Sequence, residues 1–249
     1  MKKYLLALLA LAVMASTAGK SNALTLQQLL VPGTQVTVGC LTFKNFRDLS
    51  ITGIGSPTVV VGFGAGGSDI DLNFVEVSPG YVEVQYGPWD ISNLGPGVFN
   101  RNLSFKYDVV ADPGMDIIAV DGGGVFGATV APPSANPGTN IANATFVNNY
   151  TPNVGPGVNV NLTGVKVNDG TFVDFVDQTV PIGPAQSITV VKDFLLQLVI
   201  TQSQSGTLYN AHVSAYRQSY HYTPEPGTLA LLVGFGVAGS LFAIRRRRA

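Results

Sequence analysis

A chain of 249 residues with 12% charged side chains and a formal net charge of −1 has room for one full hydrophobic core. The near-neutral balance hides an asymmetry, because residues 24–223 hold seven basic side chains against fourteen acidic ones. An acidic body excludes nonspecific binding of nucleic acid, which relies on clustered Lys and Arg, and it excludes direct adhesion to anionic lipid. With Cys40 as the only cysteine, no intrachain disulfide is available to staple the fold.

The chain opens on Lys2 and Lys3, followed by an apolar stretch over residues 4–13 and then small and polar residues ending in Ser21-Asn22-Ala23. A charged start, a short apolar centre and a small-x-small triplet form a secretory signal peptide, expected as a helix over residues 1–23 with cleavage after Ala23. The apolar centre is shorter than the roughly 20 residues a membrane span needs. Residues 24–31 then read as a short helix or turn that leads into the first strand.

From there to residue 222 the apolar pattern has a period of two or comes in short bursts. Val36, Val38 and Cys40 alternate, as do Leu103, Phe105, Tyr107 and Val109. The segments are rich in Val, Ile, Phe and Tyr, which suit pleated, half-buried positions. Turn chemistry separates them: Pro79-Gly80, Pro96-Gly97, Pro113-Gly114, Gly122-Gly123-Gly124 and Pro137-Gly138. Asp169-Gly170, between Val167 and Phe172, is the best local hairpin signal. Residues 132–140 read as a long loop, and residues 188–200 as a long strand. The expectation is an all-β fold: a single β-sandwich-like domain over residues 24–222.

Signals for chemistry are sparse. The two histidines, His212 and His221, fit no nucleophilic triad, and with one distant cysteine they make no zinc motif. Gly64-Ala65-Gly66-Gly67-Ser68 lacks the lysine of a phosphate loop and reads as a turn. Asp69 with Asp71, and the series Asp108, Asp112, Asp116 and Asp121, read as solvated turn carboxylates, with a structural calcium site as the alternative. Trp89 and the tyrosines present either core anchors or a sugar-stacking platform. No catalytic residue, cofactor or metal ligand is expected, and the chain reads as non-enzymatic.

The far end is explicit. Residues 227–244 carry no charge, and Arg245, Arg246, Arg247 and Arg248 follow at once. Eighteen helical residues reach about 27 Å, close to one hydrocarbon core, and the arginines hold their end in the cytoplasm. Pro224, Glu225 and Pro226 precede this transmembrane helix. The order of Thr223-Pro224-Glu225-Pro226, apolar helix and arginine cluster resembles the tripartite tail of PEP-CTERM proteins, exported by bacteria, over residues 223–249. Val191-Lys192-Asp193 and Gln218-Ser219-Tyr220 are similar to segments found in bodies of that family, without naming an activity.

The resemblance implies recognition by an exosortase, a membrane-embedded transpeptidase-like enzyme, in bacteria that make exopolysaccharide. It implies transient anchoring in the inner membrane, processing near Pro224-Glu225-Pro226, and residence at the cell surface, outer membrane or extracellular matrix, with exopolysaccharide as a further partner. The alternatives are a carbohydrate-binding module and a permanently anchored inner-membrane protein with a periplasmic β domain.

Overall fold

The computed structural model describes residues 21–130, 138–168 and 172–223. Fourteen strands make up nearly all of it, and every strand pairing is antiparallel. The period-two segments become strands because alternate side chains point to opposite faces, so one face can be wholly apolar. In the strand Ser187–Ile200, every second residue from Ile188 to Ile200 is buried.

The first sheet has six strands in the order β11-β10-β13-β8-β3-β2. These are β2 (Gln35–Val38), β3 (Leu41–Ile54), β8 (Gly97–Ala111), β10 (Ile141–Pro152), β11 (Val158–Val167) and β13 (Ser187–Ile200). The second sheet has eight: β1 (Ser21–Thr25), β4 (Val59–Val61), β5 (Asp71–Ser78), β6 (Tyr81–Tyr86), β7 (Trp89–Asn93), β9 (Ile117–Thr129), β12 (Phe172–Ala185) and β14 (Tyr209–Tyr222). Strand β14 is its spine. It pairs with β9 along one edge, and along the other with β7 over its first half and β6 over its second. The two inner faces meet in one continuous core, the sandwich arrangement expected from the sequence.

Among the described residues the one α-helix, α1 (Leu26–Leu29), fills the place expected for a short helix, capped by Thr25 and Gln28 in a reciprocal pair. Cys40 is buried, as a small apolar side chain would be, but it sits in the turn between β2 and β3 rather than on a strand. The turn is tight because Gly39 takes φ +57° at its first position, which a two-residue hairpin loop of this kind requires.

Two local expectations fail. Val167 and Phe172 do not face each other across a hairpin, since Val167 pairs with Ile141 in the first sheet and Phe172 with Gly127 in the second. The strands on either side of Asp169-Gly170 therefore belong to different sheets, and these two residues themselves lie outside the described residues. Gly122-Gly123-Gly124 is not a break either, and runs through the middle of β9 beside Gln218, Arg217 and Tyr216. A Cβ on Gly122 would lie 3.2 Å from the Tyr216 hydroxyl and 3.3 Å from Val160, so the missing side chain makes room for a bulky neighbour.

On the outer face of the six-stranded sheet, Arg47 grips Asp108 through two hydrogen bonds of 3.1 and 3.2 Å, and Asn45 and Thr189 each donate a further one of 2.9 Å. Burial alone would raise the Asp108 carboxyl, but these donors outweigh it and hold its pKa below the ordinary value. A carboxyl depressed in the folded state adds stability above the unfolded value of about 3.9, and that contribution fades as pH falls through the folded value. Asp108→Asn should lower stability at neutral pH by about 1 kcal/mol, since the pair is partly solvent-screened. Melts recorded from pH 7 to pH 2 should show a shallower acid slope for the variant; parallel slopes would contradict this.

Candidate functional site

Three regions hold the polar residues that a function would need. The first is a groove of about 800 Å³ on the outer face of the eight-stranded sheet. Its lining includes Asp71 and Asn73 from β5, Glu83 and Gln85 from β6, and Arg217 from β14. Asn73 donates to Gln85 at 3.1 Å, and Gln85 to Glu83 at 2.7 Å, so part of the floor is a preformed hydrogen-bond chain.

Trp89 does not belong to that floor. It is 2% exposed and packs its indole 4.5 Å from the Phe194 ring and 5.7 Å from the Phe146 ring. The backbone presses on it closely: Gly62, at φ +77°, would place a Cβ 2.3 Å from Trp89 Cδ1. Tyr86, Tyr107, Tyr150, Tyr209, Tyr216, Tyr220 and Tyr222 are buried as well. The sugar-stacking platform entertained for Trp89 and the tyrosines is therefore corrected to core packing, since the strand alternation turns these rings inward.

The second region is inside the sandwich. Lys192 occupies an inward position of β13, between Val190 and Phe194, and is 5% exposed. Its Nζ donates to Gln218 Oε1 at 2.5 Å and lies 4.0 Å from the centre of the Tyr86 ring and 4.4 Å from that of Tyr216. The Tyr86 and Tyr107 hydroxyls donate to the same oxygen at 3.1 and 2.9 Å. Gln218 Nε2 donates to the Tyr150 hydroxyl at 2.7 Å, and the Tyr107 and Tyr220 hydroxyls meet at 2.5 Å. Asn148 donates to the Tyr216 hydroxyl at 2.6 Å. Burial drives the Lys192 ammonium well below its usual pKa and holds the tyrosine hydroxyls above theirs, because charge is disfavoured there. The sequence reading missed this cluster, and the available signal was Lys192 and Gln218 standing at inward positions of alternating strands.

Three of the six carboxylates weighed as calcium ligands are otherwise engaged. Asp69 accepts backbone hydrogen bonds from Gly62 and Gly64, Asp108 is held by Arg47, and Asp121 lies 3.0 Å from His221 Nε2. Among the described residues, no three His, Cys, Asp or Glu side chains gather as a metal site.

The third region is where the described chain ends. Thr223 N donates to the Asp116 carbonyl at 2.9 Å, and Thr223 Oγ1 accepts from Asp116 N at 3.0 Å, latching the end of β14 to the turn before β9. Pro224, Glu225, Pro226 and Arg245 to Arg248, with the helix expected over residues 227–244, lie outside the described residues, as does most of residues 1–23. Ala23 lies in β1 opposite Asn73.

Residues 223–248 match the PEP-CTERM protein-sorting motif. The chain thus carries the sorting signal of an exosortase substrate. No curated protein matches the sequence significantly. Among solved structures, TmCBM61 in complex with β-1,4-galactotriose aligns over 71% of this chain and 88% of its own, at 7% identity and a TM-score of 0.27. A family 11 carbohydrate-binding module from Clostridium thermocellum, in complex with a β-1,3-1,4-mixed-linked tetrasaccharide, aligns over 75% and 99%, at 11% identity and a TM-score of 0.14. Neither superposition reaches the level of a shared fold.

Proposed function

We propose that this is a non-enzymatic exported protein of the bacterial surface or exopolysaccharide matrix, delivered as a β-sandwich and released from its anchor by an exosortase. The observation that carries the reading is the sorting motif over residues 223–248. It begins on Thr223, the residue at which the described sandwich ends. In this reading residues 1–23 direct export and are cut off after Ala23. Residues 24–222 form the extracytoplasmic domain. Residues 223–249 are the sorting tail, with the helix over residues 227–244 spanning the inner membrane and Arg245 to Arg248 stopping it from sliding through, at about 2.5 to 3.5 kcal/mol per buried arginine.

Ser219 to Tyr222 lie in β14, and Ser219 is paired with Glu83 on one side and Asp121 on the other. The cleavage region follows the folded body without slack, so the enzyme would have to work close against the sandwich. A carbohydrate-binding role has one observation in its favour, the polar groove around Asn73 and Gln85; a glycan array with the exported protein separates it from a purely structural role.

The reading is tested in a host whose exosortase has been deleted. The full-length chain should accumulate in the inner membrane and disappear from the outer membrane and matrix. An unchanged distribution would overturn the proposal.

A further inference from the structure

Lys192 and Gln218 come from different sheets. Lys192 sits on β13, a central strand of the six-stranded sheet, and Gln218 on β14, the spine of the eight-stranded sheet. Their side chains meet across the core at 2.5 Å, a contact at the short limit for a hydrogen bond. Since a C=O bond is about 1.2 Å long, the amide carbon of Gln218 is no more than about 3.7 Å from Lys192 Nζ, near the approach distance of reacting atoms. No carboxylate accepts a hydrogen bond from Nζ among the described contacts; its surroundings are two aromatic faces and one amide oxygen.

We propose that Lys192 and Gln218 form an intramolecular isopeptide bond that ties the two sheets together covalently. The groups around the amide are those the reaction needs. The amine must be neutral to attack, and desolvation in the core favours its neutral form. The Gln218 oxygen, where negative charge develops, receives the hydroxyls of Tyr86 and Tyr107 at 3.1 and 2.9 Å, an arrangement that stabilises an oxyanion. The nitrogen that must leave sits 2.7 Å from the Tyr150 hydroxyl. That hydroxyl accepts from Nε2 at rest and, once turned, can protonate the departing nitrogen, the proton that Nζ gives up making good the loss. The balance is simple. Nζ forms a bond to the amide carbon and loses one hydrogen, the bond from that carbon to Nε2 breaks, and Nε2 leaves as ammonia. Nothing is oxidised or reduced.

The consequence suits a domain without an intrachain disulfide. Strand β14 runs directly into Thr223, so a bond at Gln218 fixes the tail-bearing strand to the opposite sheet, only a few residues before the chain leaves the fold.

The test is mass spectrometry on the exported protein, reduced and denatured but undigested, because a peptide that begins with Gln218 can itself cyclise with loss of ammonia. Each processed form should be lighter by one ammonia than its sequence, and a protease specific for acidic residues should yield a branched peptide joining Lys192 to Gln218. Lys192→Met should restore the full mass. Tyr150→Phe should slow formation of the bond on the order of 100-fold, leaving freshly made protein unlinked. Full mass in the unaltered protein, with Lys192 and Gln218 in separate linear peptides, would overturn the proposal, and it does so whether or not the variants fold.

Discussion

Trp89→Ala should unfold the domain at a much lower temperature and should not act as the loss of a binding residue. The side chain it removes is 2% exposed and packs among Tyr86, Phe146, Phe194 and Tyr216, which come from both sheets. Truncating a buried aromatic to alanine costs about 3–5 kcal/mol through lost burial and the cavity left behind. For a domain of this size that lowers the melting temperature by roughly 10–15 °C. Trp89→Phe should cost much less. It keeps most of the ring and removes an indole N–H that is buried without a hydrogen-bond partner. Thermal melts of the exported protein decide the matter. A melt unchanged in Trp89→Ala, together with lost retention on polysaccharide, would return Trp89 to a sugar-binding role.

Replacing Pro224, Glu225 and Pro226 together by alanine should block release of the anchor while leaving the sandwich intact. The two prolines fix φ and lack amide protons, so this stretch should resist both continued pairing with β9 and early entry into the helix proposed for residues 227–244. Alanine removes both barriers and favours helix, which would draw the apolar run back toward Thr223. The expected result is a full-length chain held in the inner membrane with an unchanged melting temperature. Fractionation with an antibody against the sandwich reads it directly, and normal appearance of the variant in the outer membrane or matrix would contradict the role given to the motif.

How much of this was legible in the sequence depends on whether the signal was local. The strands were, because alternation such as Leu103, Phe105, Tyr107 and Val109 needs only a two-sided strand with one dry face. The tail was, because charge, apolar length and prolines act in series along the chain. Pairing was not. Asp169-Gly170 has the chemistry of a hairpin turn, yet it joins strands of different sheets, and nothing in those two residues says which partner each strand will find. Gly122 illustrates the same limit, since its missing side chain accommodates Tyr216, distant in sequence and adjacent in space. The Lys192 cluster combines the two cases. An amine at an inward position was visible from alternation, whereas the glutamine and tyrosines around it come from β6, β8, β10 and β14 and meet only in the folded sandwich.

The C-terminus of the protein as it is found outside the inner membrane is the most direct readout of the proposed processing. Mass spectrometry of that material should give a chain that ends close to Pro224-Glu225-Pro226 and contains no peptide from the segment ending in Arg245 to Arg248. Recovery of intact Arg245–Arg248 peptides from the outer membrane or matrix would contradict it, as would finding the full-length chain in the inner membrane alone.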